Sequence, residues 1–278
     1  MYLSDKNQPV PISQDNRIYY TLRIASAMCF IGHGSFGIIT KSIWANYFGV
    51  FGISHAISYS LMPFVGSLDI LFGLVLLFYP IKAVVMWLVL WGFVTALLRP
   101  ISGEPFPEFI ERAGNFGAPL ALLILSGSVN LKHLFKPLHA NIKMTDQTLQ
   151  SVTLVLRILV CLLLSGHGWL NLIDKKGIID QYASLGFADP LAIARGVGLF
   201  EIIAGLAVLI RPLRSFILIL FLWKVTTELF YPRYEVFEWI ERGGSYGSIL
   251  ALWFALGAAS AFHKQTEFKR PWMKIAQL

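Results

Sequence analysis

Residues 23–34, RIASAMCFIGHG, align without a gap with residues 157–168, RILVCLLLSGHG, and both segments begin with Arg-Ile and end with Gly-His-Gly. Two further pairs of blocks follow in the same order. They are GSLDILFGLVLLFYP at 66–80 with GLFEIIAGLAVLIRP at 198–212, and EFIERAGNFG at 108–117 with EWIERGGSYG at 238–247. Because chance does not give three collinear pairs of blocks, the sequence predicts an internal duplication.

The composition of the chain predicts a membrane protein. Of its 278 residues, 56% are hydrophobic and only 14% are charged, and the mean hydropathy is +0.63. A soluble domain has about 45–50% apolar and about 25% charged residues, so this chain has too few charges to cover its own surface. The net charge of +7 comes without a basic run of interleaved aromatic residues, so no nucleic-acid partner is predicted.

Eight apolar stretches are long enough to serve as membrane-spanning helices. A helix needs about 20 apolar residues to cross about 30 Å of hydrocarbon, and the stretches do not alternate as barrel strands do. They are roughly residues 19–39, 64–80, 83–99, 114–131, 152–171, 191–210, 214–231 and 245–262. The predicted fold is an all-α membrane protein whose eight transmembrane helices form two parallel four-helix repeats in contact with the lipid bilayer.

This fold divides the chain into five segments. They are a polar N-terminal tail (1–18), a first four-helix repeat (19–131), a basic cytoplasmic linker (132–151), a second four-helix repeat (152–262) and a basic C-terminal tail (263–278). Most lysine and arginine residues fall in the tails, the linker and alternate loops, and basic loops of membrane proteins face the cytoplasm. We therefore expect an integral protein of a bacterial inner membrane with both termini in the cytoplasm.

The motifs of each half resemble those of DoxX-like membrane proteins. The four-helix unit of that family carries Gly-His-Gly near the end of its first helix, an acidic residue followed by glycine in its second, and an acidic-basic-Gly entry to its fourth. The last feature appears here as IERAGNFGAPLALL and IERGGSYGSILALW. The resemblance covers about 23–131 and 157–262. It implies a tandem duplication of the DoxX/DoxD type and an association with quinone-linked thiosulfate oxidation or redox-stress complexes.

Ionisable residues inside the predicted spans mark the candidate site of the second repeat. Each costs about 2.5–3.5 kcal/mol at the centre of an inserting helix and is rarely kept without a partner. His167, Glu201, Lys224 and Glu228 are predicted to lie at one depth, and we expect them to form a catalytic polar pocket in the outer half of the membrane. The alternative for Lys224 is plain charge neutralisation of Glu201 or of Glu228, one turn away.

The first repeat keeps fewer of these residues. His33 and Asp69 match the histidine and the carboxylate of the second repeat, but Gly92 and Ala96 stand where the second repeat has its lysine and second glutamate. The two copies have therefore diverged in charge. The first repeat is expected to be closer to a structural copy.

Three roles are open for the matched residues His33, Asp69, His167 and Glu201. In the first, each histidine only donates a hydrogen bond to its carboxylate and so locks two helices together. In the second, the histidines contact a quinone and pass protons to it, because imidazole titrates near neutral pH. In the third, both histidines ligate one haem b and the carboxylates orient them. A quinone is the leading cofactor and haem is the alternative.

The entries to the fourth helix of each repeat contribute a second group of charged residues. The structural interpretation is that the acidic residues favour the positive end of the helix dipole while the glycines allow close packing. The functional alternative is a rim that binds a small anion or a partner domain, since arginine offers a rigid fork of donors. The rim residues are Arg99, Glu111, Arg112, Glu241 and Arg242. Without HxxxH or HExxH spacing, no metal site is predicted.

Three functions from different classes follow from these residues. The leading one is a membrane subunit of a quinone-linked redox system, which acts with a partner protein in a complex because the chain has no motif for haem, flavin or an iron–sulfur cluster. The second is a small-molecule transporter that uses the space between the repeats. The third is a structural or assembly subunit of a membrane complex without chemistry of its own.

Overall fold

The structure, a computed structural model, describes residues 13–127, 131–138, 144–229 and 236–269. The outer parts of the predicted tails, 1–12 and 270–278, and the centre of the predicted linker, 139–143, lie outside the described residues.

Within these ranges the chain forms twelve α-helices, one 3-10 helix at Leu131–His133 and no β-strand. The first half contains α1 (Gln14–Ile38), α2 (Trp44–Gly49), α3 (His55–Phe78), α4 (Lys82–Ile101), α5 (Pro107–Glu111) and α6 (Ala113–Leu125). The second half contains α7 (Asp146–Leu172), α8 (Lys176–Ser184), α9 (Pro190–Ile210), α10 (Arg214–Leu229), α11 (Val236–Glu241) and α12 (Gly243–Lys269). The prediction of an all-α fold is confirmed for the described part of the chain.

Four of the described helices, α3, α4, α7 and α9, are long and apolar enough to cross a membrane. The prediction of a membrane protein is supported to this extent, and the structure does not show all eight predicted spans. α6 and α10 have 13 and 16 residues, fewer than the about 20 of a straight crossing. α1 has 25 residues but carries two arginines and a histidine among its apolar side chains, which lowers its hydropathy.

Local chemistry sets helix boundaries that differ from the predicted ones. α3 begins at His55, well before the predicted start at 64, because the Ser54 side chain accepts a hydrogen bond from the Ile57 backbone nitrogen and caps the helix. α6 ends at Leu125, short of the predicted 131, and Gly127 follows with φ +76°. A left-handed residue just past a helix is typical of its C-terminus.

Glycines let the first and third helix of each half pack closely. A Cβ atom on Gly168 of α7 would lie 2.6 Å from the backbone oxygen of Gly198 on α9, and Gly34 of α1 meets Gly66 of α3 in the same way. No side chain fits in either place. The backbones therefore approach directly, as small residues allow in membrane helix pairs, and this brings side chains one turn away into contact.

Short helices α5 and α11 cross from one half to the other. α5 packs against α7, and α11 packs against α1. A Cβ atom on Gly166 would clash with the backbone nitrogen of Glu111, and one on Gly32 would clash with that of Glu241. The first turns of α6 and α12 also meet, since a Cβ on Gly114 would lie 2.8 Å from the carbonyl carbon of Gly244. Each half thus contributes one short helix that packs against a long helix of the other half.

The outer surface of the helices is apolar. Phe78 is 80% exposed, Ile210 is 77% exposed and Phe64 is 64% exposed. A soluble protein rarely shows so many large apolar side chains together. The exposure agrees with contact between these helices and a lipid bilayer.

Candidate functional site

His167 and Glu201 join α7 to α9 in the interior of the second half. Nδ1 of His167 donates a hydrogen bond to the Glu201 carboxylate, which is only 1% exposed. Asn171, one turn along α7, donates through Nδ2 to the His167 backbone oxygen at 2.9 Å, and its Oδ1 accepts from the Tyr182 hydroxyl at 3.1 Å. The imidazole is fixed by its neighbours, while its Nε2 has no hydrogen bond to the described residues.

Lys224 lies between two buried carboxylates. Its Nζ is 3.5 Å from Oε1 of Glu201 and 3.4 Å from Oε1 of Glu228, and its side chain is 3% exposed. Glu228 in turn lies 3.0 Å from Nε of Arg242. The structure therefore brings together the four residues predicted from the second repeat. Buried charges are tolerated when they are paired in this way.

His167, Glu201, Glu228 and Arg242 line the second-half cavity, which has a volume of about 330 Å³. Its polar groups lie beside apolar side chains from α8, α9 and α10. The cavity is lined by Glu111, His167, Leu170, Lys175, Gly177, Ile178, Gln181, Tyr182, Leu185, Phe187, Ile193, Val197, Glu201, Trp223, Thr226, Thr227, Glu228 and Arg242.

The first half has a counterpart with less charge. Nδ1 of His33 donates to Oδ2 of Asp69 at 2.8 Å, and the His33 ring lies 4.7 Å from the Trp44 ring. Gly92 leaves no room for a lysine-like side chain, since a Cβ there would lie 2.8 Å from the Asn115 backbone oxygen.

This first-half cavity has a volume of about 140 Å³. It is lined by His33, Trp44, Tyr47, Phe48, Phe51, Ile53, Val65, Trp91, Thr95, Ala96, Leu98, Arg99, Arg112, Asn115 and Glu241. The first half therefore encloses a cavity of its own beside its histidine.

Of the residues predicted to form a rim, Glu111 and Glu241 are buried and Arg112 and Arg242 are partly buried. Oε1 of Glu111 accepts a hydrogen bond of 2.6 Å from Arg242, and its Oε2 accepts one of 2.9 Å from Arg112. Glu111 is 6% exposed and Glu241 is 5% exposed. These charged groups therefore pair with one another inside the protein. Arg99, the fifth predicted rim residue, pairs with a carboxylate of its own half.

Glu108 is the most connected charge that the sequence analysis did not single out. It is fully buried, and its Oε2 lies 2.6 Å from Arg112 and 3.6 Å from Arg99. Its Oε1 accepts a hydrogen bond from Lys175 of the other half. Burial by itself would raise the pKa of Glu108, but Arg112, Lys175 and Arg99 together lower the pKa below its ordinary value.

A second ion pair between the halves mirrors the first. Lys41, just after α1, donates to Oε1 of Glu238 on α11, as Lys175, just after α7, donates to Glu108 on α5. The two glutamates begin the aligned blocks at 108 and 238, and each lysine lies seven residues after the end of the Gly-His-Gly block of its own half. This correspondence between the halves is the sequence signal from which these residues could have been identified.

The residues present fit the predicted cofactors unequally. The second-half cavity offers an imidazole, charged groups and apolar walls, which suit a flat ring with carbonyl oxygens. His33 and His167 line separate cavities, whereas ligation of one haem by both would place both rings on one iron. Haem ligation is therefore not supported by this arrangement. Among the described residues, no group of three histidine, cysteine or acidic side chains is placed to hold a metal.

In the comparison with protein families, the DoxX family model matches residues 152–223, which cover most of α7, all of α8 and α9 and most of α10. This match includes His167 and Glu201 and supports membership of the DoxX family, in agreement with the resemblance in the sequence. It does not reach the first half, so it does not show a tandem duplication. The comparisons with curated proteins and with solved structures gave no match.

Proposed function

We propose that the protein is a membrane subunit of a quinone-linked redox system that acts with a protein partner, and that the second-half cavity receives the quinone head group. The observation that carries the proposal is the hydrogen bond between His167 and Glu201 at the polar wall of a largely apolar cavity. The DoxX match over 152–223 supports it, because that family is associated with quinone-linked thiosulfate oxidation.

The size and lining of the cavity suit a quinone ring. Its volume of about 330 Å³ falls in the range of small-molecule sites, which run from about 300 to 1,000 Å³. Phe187, Val197 and Trp223 supply an apolar wall. His167 and Glu228 add polar groups to the same lining, so one ring can contact both apolar side chains and an imidazole that passes protons.

The polar residues have defined roles in this proposal. A bound quinone takes up two electrons and two protons when it is reduced to the quinol. Because Nδ1 of His167 donates to Glu201, Nε2 is the ring nitrogen that is free to relay protons to a bound quinone, as imidazole does in general acid–base catalysis. Lys224 lies within 3.5 Å of both Glu201 and Glu228 and offsets part of their charge. The electrons come from the partner.

The architecture that we propose for this function is a tandem duplication with eight spans in a bacterial inner membrane and with cytoplasmic termini. Matched contacts support the duplication, since His33–Asp69 and His167–Glu201 join the same pair of helices in each half.

The experiment compares the wild-type chain with Glu201→Gln, expressed in membranes of the native host. We expect quinone to co-purify with the wild-type chain, and thiosulfate to reduce that quinone in native membranes. Glu201→Gln should keep the fold and lose both properties, while the matched change Asp69→Asn in the first half should keep thiosulfate-dependent quinone reduction. Full activity of a folded Glu201→Gln variant would overturn the proposal.

Two other outcomes would point to the alternative functions. Solute uptake that depends on Glu201 would favour a transporter. A large stable complex that purifies without quinone would favour a structural or assembly subunit. Either result would leave the cavity geometry intact and change only its use.

A further inference from the structure

An apolar groove lies between α1 of the first half and α10 and α12 of the second half. It has a volume of about 440 Å³ and shares no lining residue with either cavity described above. Tyr20 and Ile24 on its α1 side are 40% and 48% exposed, and Phe221 and Val225 line it from α10. The groove therefore opens on the apolar outer surface, and the proposed function does not use it.

The length of the groove matches one leaflet of a bilayer. Arg17 and Met28, which line it along α1, are 11 residues apart, and so are Gly243 and Phe254 along α12. At about 1.5 Å per residue, each run is about 16 Å long. Half of a hydrocarbon core of about 30 Å is about 15 Å. One acyl chain of a single leaflet therefore suits the groove.

Two arginines lie at the end of the groove where α1 and α10 begin. Arg17 lines the groove, and its guanidinium carbon is 5.8 Å from the centre of the Phe254 ring. Arg214 is the first residue of α10, and a Cβ atom on Gly257 would lie 2.9 Å from its guanidinium carbon. Gly257 is on the groove face of α12, because residues three apart in a helix, such as Phe254 and Gly257, are neighbours on its surface.

The charges of these two arginines are complementary to a phosphate group. Both side chains are exposed. Within the described ranges each guanidinium stacks on an aromatic ring of α12 instead of pairing with a carboxylate, and for Arg214 this ring is Trp253, at 4.3 Å. Arginine offers a rigid fork of donors that matches phosphate oxygens. Basic residues at a membrane surface also attract anionic lipids.

We propose that this groove is a binding site for an anionic phospholipid of the leaflet in which α1 and α10 begin. One acyl chain lies along the groove, and the headgroup phosphate lies between Arg17 and Arg214. The site goes beyond the proposed function, because a lipid bound here requires neither quinone nor electron transfer. The surrounding bilayer supplies this ligand directly to the open side of the groove.

The test of the headgroup is native mass spectrometry of the full chain, delipidated in detergent and titrated with phosphatidylglycerol or with phosphatidylcholine of the same acyl chains. We expect the first phosphatidylglycerol to bind at least about tenfold more tightly, since two arginines contribute to its attraction. The double variant Arg17→Gln with Arg214→Gln should lose this preference. Arg211→Gln, which removes an exposed arginine just before α10, should keep it. Equal binding of both lipids to the wild-type chain, or a preference that survives the double variant, would overturn the proposal.

The test of the groove itself is Val225→Trp, whose larger side chain takes the space of the acyl chain. It should weaken binding of the first lipid with either headgroup. Leu222→Trp places the same ring on a side chain position of α10 that is 55% exposed and does not line the groove, so it should bind lipid as the wild-type chain does. Equal lipid binding by the two folded variants would contradict the proposal. A wild-type dimer that Val225→Trp converts to a monomer would also overturn it, because the groove would then hold a second copy of the chain.

Discussion

Arg242 donates a hydrogen bond of 2.6 Å to Glu111, a residue 131 positions earlier in the chain. Arg242 directly precedes α12 of the second half, and Glu111 is the last residue of α5 in the first half. Both residues line the second-half cavity. Arg112 donates to the other oxygen of the same carboxylate. The candidate site is therefore assembled from both halves, and its electrostatics depend on how α5 packs against α7.

Lys224→Met should strongly destabilise the protein. The change leaves the buried carboxylates of Glu201 and Glu228 without the cation between them, and breaking a buried pair costs about 3–5 kcal/mol. The double variant Lys224→Met with Glu201→Gln should recover part of the loss, because one orphaned charge is removed. Thermal unfolding in detergent measures both effects.

The control for this change is Lys176→Met. Lys176 pairs with Asp180 on the surface, where the two side chains are 87% and 59% exposed, and exposed pairs contribute about 0–1 kcal/mol. If the surface change and Lys224→Met cost the same, the buried charges are not organised as the structure describes.

Gly166→Ala should disrupt the contact between the halves. A Cβ on Gly166 would clash with the backbone nitrogen of Glu111, and backbone cannot yield as a flexible side chain does. We expect a loss of at least about 1–3 kcal/mol. Gly196→Ala on α9 is the control, since nothing lies within 4 Å of its added Cβ and alanine favours a helix. A harmless Gly166→Ala would contradict the packing of α5 on α7.

The sequence predicted the contacts that lie within one half. His167 with Glu201 and Lys224 with Glu228 follow from matched blocks and from helical spacing, because both depend on periodicity and on the cost of unpaired charge in lipid. The structure shows both pairs. The sequence also predicted that the apolar stretches form helices, since a stretch in a bilayer satisfies its backbone groups only as a helix or in a closed barrel.

The contacts between the halves could not be predicted from the sequence in this way. Glu111 and Arg242 were expected at an open rim, and the structure places them in the interior as partners. Their position depends on the direction in which α5 leaves α4, which is a tertiary choice without a periodic signal.

Glu108 should make stability depend on acid pH. Its pKa is lowered in the folded chain, since Arg112, Lys175 and Arg99 outweigh the effect of burial. The unfolded chain takes up a proton at the ordinary value of about 4.3 while the folded chain resists it. The stabilisation is thus present above that pH and is lost as the pH falls through the folded pKa.

The measurement compares unfolding temperatures of the wild-type chain and Glu108→Gln between about pH 7 and pH 3. We expect the wild-type chain to be more stable at neutral pH and the difference to narrow below the ordinary glutamate pKa. The control Asp180→Asn removes a carboxylate whose side chain is 59% exposed, and it should cost much less stability at neutral pH. A gap between wild type and Glu108→Gln that does not change with pH would argue against these ion pairs.

Cysteine labelling should reveal the orientation of the chain in the membrane. Both native cysteines, Cys29 and Cys161, are buried, so background labelling by a charged maleimide should be low. Ser184 at the end of α8 and Lys136 before α7 are exposed, and the positive-inside rule puts the basic segment around Lys136 in the cytoplasm. In intact cells, Ser184→Cys should therefore be labelled and Lys136→Cys should react only after permeabilisation. The reverse pattern would invert the topology and place the charged cavities toward the other face.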